Sequence, residues 1–120
     1  MIIMRILLDT NIILDAIKFH VDIISEAQKF GEPFTLDICL NELKRIAEKG
    51  KGAIAAKIAM QFARKLPIIE AQGAADRAIL SYSIRHRCGD ATNDKKLIKA
   101  LKLKGIRVIR LRQKSYLVAE

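Results

Sequence analysis

Apolar residues in this chain fall into short continuous runs, separated by longer stretches in which they recur every three or four positions. Short runs bounded by turn residues are typical of buried strands, and the longer spacing is typical of amphipathic helices. The runs predict five strands, at residues 2–8, 34–38, 68–69, 90–92 and 106–111. The stripes predict helices at residues 11–18, 21–30, 37–47, 53–65, 74–86 and 94–104, and residues 112–120 form a tail that adds a short strand or turn.

Capping and turn residues mark several of these boundaries. Asn11 can cap the first helix, and Asp37 stands where the third helix starts. Gly31 closes the second helix after its last apolar residue, and the following Glu32-Pro33 pair predicts a turn. Strands and helices therefore alternate five times, which predicts an α/β fold in three layers, with a five-stranded parallel sheet and helices on both faces. Its length suits one domain, residues 1–120, and we find no internal repeat or linker.

The composition indicates which compartment and which partners to expect for the protein. The longest apolar runs are far shorter than the ~20 residues that span a bilayer, so we expect no membrane partner. The apolar start runs into Asp-Thr-Asn rather than a small-residue cleavage site, which argues against a signal peptide. The chain has two cysteines, Cys39 and Cys88, which are far apart in the sequence. This favours reduced thiols in a cytoplasmic protein over a disulfide, and a zinc site would need more ligands.

Positive charge is concentrated toward the end of the chain. The net charge is +9, and residues 95–114 contain nine basic residues and no acid. Such an asymmetry indicates a polyanionic partner, with nucleic acid first and an anionic membrane surface second, whereas a solvated lysine-rich face is the alternative.

Four acids share one edge of the predicted sheet. Asp9 follows the first strand and Asp94 the fourth, while Glu42 and Asp76 lie in the first turns of helices that follow the second and third strands. In open parallel sheets, ligands bind beyond the carboxyl ends of the strands, where the strand order reverses. Each acid alone could be a helix cap or a solvated residue. Together they predict a site for Mg²⁺ or Mn²⁺, which prefer oxygen ligands and assist phosphodiester hydrolysis. Neighbouring polar residues could orient Asp9 and Asp94 or serve as plain turn residues; they are Thr10, Asn11, Thr92 and Asn93.

Four motifs in series resemble those of the PIN-domain nucleases. They are Leu8-Asp9-Thr10-Asn11, Asn41-Glu42-Leu43, Ala75-Asp76-Arg77-Ala78-Ile79 and Ala91-Thr92-Asn93-Asp94. The resemblance covers nearly the whole chain. It implies a five-stranded parallel sheet of order 3-2-1-4-5 and a magnesium- or manganese-dependent ribonuclease, with Asp9, Glu42, Asp76 and Asp94 as catalytic metal ligands. Two residues depart from the family pattern: Asp90 replaces an apolar strand residue, so that the strand is short or Asp90 reaches the site, and Asp37 replaces a proline or small residue.

The resemblance leaves three roles open. Residues 49–59 and the ending 111–117 look closer to the rRNA-processing branch, which implies RNA and ribosomal-precursor partners. Toxin-type PIN proteins imply an antitoxin, and a third alternative is an RNA- or ribosome-binding module that does not cleave. A phosphatase-like domain would need a second Asp where Asn11 stands.

The apolar residues Ile54, Ile58 and Phe62 could support a homodimer or belong to the core. The residues expected to contact RNA are Lys49, Lys51, Lys95, Lys96, Arg112 and Lys114.

Overall fold

A single mixed sheet runs through the middle of the protein. The structure, a computed structural model, describes residues 4–71 and 73–120, without the side chains of Ala75 and Asp76. Within these residues the strands are β1 (Arg5–Leu8), β2 (Glu32–Leu36), β3 (Ile68–Ile69), β4 (Gly89–Ala91), β5 (Val108–Arg112) and β6 (Tyr116–Ala119). The helices are α1 (Thr10–Lys18), α2 (Ile23–Gln28), α3 (Asp37–Ala47), α4 (Ala53–Ala63), α5 (Ala75–His86) and α6 (Lys95–Leu103).

The strand order is β3-β2-β1-β4-β5-β6. The first five strands are parallel, so the predicted order 3-2-1-4-5 is confirmed. The predicted count of five strands is wrong, because β6 pairs antiparallel with β5 at the edge of the sheet. The turn between them places Gln113 and Lys114 at positive φ, which joins neighbouring antiparallel strands in a few residues.

Several predicted boundaries shift. Glu32 and Pro33 belong to β2 rather than to a turn. Pro33 pairs with β1 on one side, and on its other side no strand is paired, because β3 pairs with β2 only from Thr35 onward. A proline, which has no N–H to donate, is tolerated in a strand at such a position. The cap of α1 is Asp9 rather than Asn11. The helix predicted at 21–30 is shorter at both ends, since Asp22 caps α2 and Lys29 follows its last residue. Ile2 and Ile3, predicted in the first strand, lie outside the described residues.

The two faces of the sheet carry separate helix layers. Ile6 and Leu8 of β1 point to one face, where they join a buried cluster with residues of α1, α2 and α4. Leu7 points to the other face and joins a cluster with residues of α5 and α6. This alternation along one strand puts helices on both faces, so the predicted three-layer α/β architecture is confirmed.

The structure describes both cysteines. Cys39 and Cys88 are both free and buried. Burial raises the pKa of the Cys39 thiol to about 11, so it stays protonated and unreactive at neutral pH. Among the described residues, no helix is long and apolar enough to cross a membrane.

Candidate active site

Asp9 lies where β1 ends and α1 begins. Its side chain accepts a hydrogen bond from the backbone N–H of Ile12, with Oδ1 at 2.8 Å, so it is the N-cap of α1. Its side chain is nonetheless almost fully buried, with the residue only 4% exposed. Capping therefore explains how Asp9 is held, and burial at the carboxyl edge of the sheet sets it apart from an ordinary surface cap.

Asp94 has the same local role at the start of α6. Its Oδ1 accepts hydrogen bonds from the backbone N–H groups of Lys96 at 2.9 Å and Leu97 at 3.2 Å. The hydroxyl of Thr92 accepts the backbone N–H of Asp94 at 3.1 Å, and it lies near enough to the Asp9 side chain to lower the pKa of that carboxyl. Because β1 and β4 are neighbouring strands, Thr92 at the end of β4 lies beside Asp9 at the end of β1.

Glu42 reaches this edge from the second turn of α3. The hydroxyl of Thr10, the first residue of α1, donates a hydrogen bond to Glu42 Oε2 at 2.9 Å. Thr10 is itself buried, so the donor has little freedom to move. The residue that follows Asp9 in the sequence thus draws Glu42 toward it, across 32 positions of the chain.

Electrostatic repulsion shows that the three described carboxylates share one neighbourhood. The pKa of Asp9 is raised to about 6, chiefly by burial, and the charges of Asp94 and Glu42 contribute to this rise. The hydrogen bonds from Thr92 and from the Ile12 N–H act in the opposite direction by favouring the ionised form. A cation placed among these carboxylates would remove the repulsion, and their oxygens are the ligands that Mg²⁺ and Mn²⁺ prefer.

The predicted quartet is only partly described. Asp76 falls in the first turn of α5, but its side chain lies outside the described residues. Within the side chains that the structure describes, no group of three or more His, Cys, Asp or Glu residues is arranged to hold a metal ion. Mg²⁺ commonly binds proteins through one or two carboxylates, with waters and substrate phosphate completing its shell. The oxygen donors of Asp9, Glu42 and Asp94 fit that chemistry, and their role as ligands stays a prediction.

The four predicted orienting residues divide into two pairs. Thr10 and Thr92 contact the site carboxylates as described above. Asn93 instead donates to Asp15 Oδ2 at 3.3 Å and accepts from the backbone N–H of Leu111 at 3.1 Å, which ties α1 to β5. Asn11 is exposed in the first turn of α1.

Asp90 lies beneath the site, in the middle of β4. It is fully buried, and Ser83 of α5 donates a hydrogen bond to its Oδ2 at 3.1 Å. Its Oδ1 has no hydrogen-bond partner among the described residues. Burial raises the pKa of Asp90 well above its ordinary value, and the nearby charge of Asp9 adds to the rise. The sequence suggested either a short fourth strand or an Asp90 that reaches the site. The structure has a β4 of only three residues, and Asp90 lies near Asp9.

Asp37 begins α3, in agreement with the sequence expectation. Its Oδ1 accepts hydrogen bonds from the backbone N–H groups of Ile38 at 2.8 Å and Ala71 at 3.0 Å. The second bond fastens the segment after β3, which leads into α5, to the start of α3. This contact joins residues 34 positions apart, and the sequence gives no signal for it.

The basic residues expected to contact RNA are exposed and lie in three places. Lys49 and Lys51 line an open cleft of about 400 Å³ that Glu42 and Arg45 also line. Lys95 and Lys96 follow Asp94 in the first turn of α6. At the turn between β5 and β6, Arg112 is exposed and the Nζ of Lys114 lies 5.1 Å from the ring centre of Phe19. The cleft and the first turn of α6 therefore both place basic side chains beside predicted site residues.

The apolar residues considered for a homodimer are partly at the surface. Ile54 is 77% exposed and Ile58 38% exposed, both on α4. Ile58 and Phe62 line a groove of about 440 Å³ with residues at the end of α1. The homodimer stays a prediction.

The fold and the acidic edge define a class of protein, a three-layer α/β domain with carboxylates at the point where the strand order reverses. The family model described as "PIN like domain" matches residues 6–114, so the chain belongs to the PIN-like domain family, as its motifs predicted.

Individual relatives agree with this assignment. Ribonuclease VapC9 of Archaeoglobus fulgidus is 26% identical over 106 residues, covering 83% of this chain and 77% of that protein. The PIN domain endonuclease Utp24 superposes with a TM-score of 0.82 at 21% identity, covering 97% of this chain and 90% of that one. VapBC2 from Rickettsia felis, in a structure bound to a DNA fragment from their promoter, gives a TM-score of 0.62 at 24% identity, covering 80% of this chain and 92% of that one. At these identities the two structures show a shared fold.

Proposed function

We propose that this protein is a Mg²⁺- or Mn²⁺-dependent ribonuclease that hydrolyses RNA phosphodiester bonds at the acidic edge of the sheet. The observation that carries the proposal is Asp9, which is buried at the end of β1 with Asp94 and Glu42 within electrostatic reach. Membership of the PIN-like domain family and the similarity to a protein named a ribonuclease support it.

The metal would be held by Asp9, Glu42 and Asp94, with Asp76 as the fourth predicted ligand. When bound, such an ion lowers the pKa of a coordinated water and offsets negative charge on the phosphate. The chain's own contribution is orientation: Thr92, beside Asp9, accepts the backbone N–H of Asp94 at the start of α6, and Thr10 donates to Glu42. The Ile12 N–H favours the ionised form of Asp9, which is the form that binds a cation.

The RNA backbone would lie along the basic surfaces beside this site. Lys49 and Lys51 share a cleft with Glu42, so a phosphate held there lies close to a predicted ligand. Lys95 and Lys96 flank Asp94 on the opposite side of the reversal point. Contacts of this kind are made to phosphate and are weakened by salt, whatever the base sequence.

The proposal is tested by cleavage of a labelled single-stranded RNA by wild-type protein and by Asp9→Asn, with Mg²⁺ or Mn²⁺ and with EDTA. We expect Asp9→Asn to be slower by about a hundredfold or more, the size of loss that follows removal of one strong electrostatic contact to a transition state. We expect EDTA to stop cleavage and added metal to restore it. The matched control is Asp22→Asn, which changes an exposed N-cap aspartate and should leave the rate unchanged.

Cleavage at the wild-type rate by Asp9→Asn, or in EDTA, would overturn the proposal. Tight, metal-independent RNA binding without any cleavage would favour the alternative of a non-catalytic RNA- or ribosome-binding module. Heat denaturation of each variant separates a catalytic loss from a failure to fold.

Toxin activity is a second candidate role, favoured by the similarity to VapC9 across most of the chain. In that role the partner would be an antitoxin. Induced expression in a heterologous host should then arrest growth, and Asp9→Asn should relieve the arrest. Normal growth of cells that express active enzyme would instead favour a role in rRNA processing, with ribosomal-precursor proteins as partners.

A further inference from the structure

A second concave surface lies along α5, beside the end of β3. It is a groove of about 390 Å³, within the range of small-ligand sites. Its lining is mixed: Tyr82 contributes an aromatic ring, Arg85 and His86 contribute cationic or polar groups, and Glu70 contributes a carboxylate at the rim. None of these residues belongs to the acidic site or to the basic surfaces assigned above.

The aromatic part of the groove is fixed by neighbouring residues. Tyr82 and His86 lie one helical turn apart, with ring centres 4.2 Å apart and ring planes inclined by 31°. Arg5 Nη1 donates a hydrogen bond to the Tyr82 hydroxyl at 3.2 Å, and the Phe34 ring centre lies 5.5 Å from that of Tyr82. A side chain held in place before binding loses little freedom when it meets a ligand. Flat nucleobases stack on such rings whatever their sequence.

The charge around the groove suits a phosphate backbone. Residues 77–89 include Arg77, Arg85, His86 and Arg87, and contain no acid. These four side chains are exposed. The Glu70 carboxylate at the rim can accept hydrogen bonds only, so it suits the amino and ring N–H groups of a base.

The position of the groove connects it to the acidic site. α5 begins at the same edge of the sheet as that site, and Tyr82 lies six residues beyond Asp76 along the helix. At 1.5 Å per residue this is about 9 Å, a distance that a single strand of RNA can span.

We propose that this groove binds a base of single-stranded RNA, a short distance along the strand from the phosphate that the acidic edge cleaves. The inference rests on the proposed ribonuclease function. It adds a binding site in which His86, itself packed on Tyr82, stacks on the base and Arg85 contacts its phosphate.

The test uses binding alone, in EDTA, so that it does not depend on cleavage. Fluorescence anisotropy with a labelled single-stranded RNA is measured for wild-type protein, Arg85→Ala and His86→Ala. Arg64→Ala is the matched control, because Arg64 is an exposed arginine at the C-terminal end of α4, on the other helix layer. We expect Arg85→Ala to weaken binding several-fold more than Arg64→Ala does.

A set of RNAs with one abasic position each then tests for stacking. In wild-type protein, one abasic position should weaken binding about fivefold or more. The same abasic position should weaken RNA binding by His86→Ala much less, because this variant already lacks the ring on which the base stacks.

Three results would overturn the inference: equal losses in Arg85→Ala and Arg64→Ala, no abasic position whose effect depends on His86, or competition by a polyglutamate peptide as strong as that by unlabelled RNA. Failure here with Asp9-dependent cleavage intact would remove the groove and leave the proposed function standing. Loss of the proposed function would instead appear in the cleavage assay, whatever the anisotropy shows.

Discussion

Asp9 and Asp22 begin neighbouring helices with the same local motif. Each accepts a hydrogen bond from the backbone N–H three residues later, at 2.8 Å from Ile12 and at 3.2 Å from Ser25. Asp9 is buried, and burial with neighbouring carboxylates raises its pKa to about 6. Asp22 is exposed, and the hydroxyl and backbone N–H of Ser25 lower its pKa. The motif therefore provides a helix start in both places, and the surroundings alone make one of them a candidate ligand.

The largest difference between the two caps should appear in stability without metal. Replacing Asp9 by asparagine keeps the cap but removes a charge that the folded state disfavours. A folded pKa of about 6 against an ordinary 3.8 means that ionisation of Asp9 destabilises the fold as the pH rises through this interval. We expect Asp9→Asn to be more stable than wild type by about 3 kcal/mol above pH 6 and by nothing below pH 3.8. Urea unfolding in EDTA from pH 3.5 to 7.5 measures this.

Asp22→Asn is the control for that series, and its sign is opposite. Because the folded pKa of Asp22 is lowered, its ionised form adds stability that is fully present above pH 3.8 and is lost as the pH falls through the folded value. Asp22→Asn should thus be slightly less stable than wild type at neutral pH. If both variants follow the same pH trend, the contrast between the two caps is wrong.

The hydroxyls that hold the two caps offer a second comparison. Thr92 lies beside Asp9 and lowers the pKa of its carboxyl, and Ser25 Oγ donates to Asp22 Oδ2 at 2.8 Å. We expect Thr92→Val to lower metal-dependent RNA cleavage by about tenfold or more, since loss of groups that orient metal ligands has effects of this size. Ser25→Ala should cleave RNA at the wild-type rate. Calorimetric Mn²⁺ binding should weaken only in Thr92→Val, and unchanged affinity there would contradict the orienting role.

The smallest effect is expected for surface lysines. Lys49 and Lys51 line the cleft with Glu42, whereas Lys29 near the end of α2 pairs with Glu26 at 2.6 Å. The double variant Lys49→Ala, Lys51→Ala should bind RNA a few-fold more weakly, and the slope of log affinity against log salt should fall by about one for each lost phosphate contact. Lys29→Ala should change neither quantity. A salt slope identical in all three proteins would exclude phosphate contacts at the cleft.

Local patterns located most of the elements. The apolar runs placed β1, β3, β4 and β5 to within a few residues, because buried strands need continuous apolar side chains. The pattern missed β6 as a defined strand, since its pairing depends on a turn with two residues at positive φ. It also assigned Pro33 to a turn, because proline is tolerated in a strand only where a neighbouring strand is absent, and the sequence does not show where β3 stops pairing.

The sequence by itself determined which carboxylates follow strands and therefore reach one edge of the sheet. It also marked Asp90 as unusual, since an acid inside an apolar strand is visible without a structure. Only the tertiary structure decided that Asp9 is buried beside Asp94 and Glu42 whereas Asp22 is exposed, that Asn93 contacts Asp15, and that Arg5 fixes Tyr82 from 77 positions away. Strand ends and caps depend on neighbouring residues along the chain, whereas burial, repulsion and long-range hydrogen bonds depend on which segments the sheet brings together.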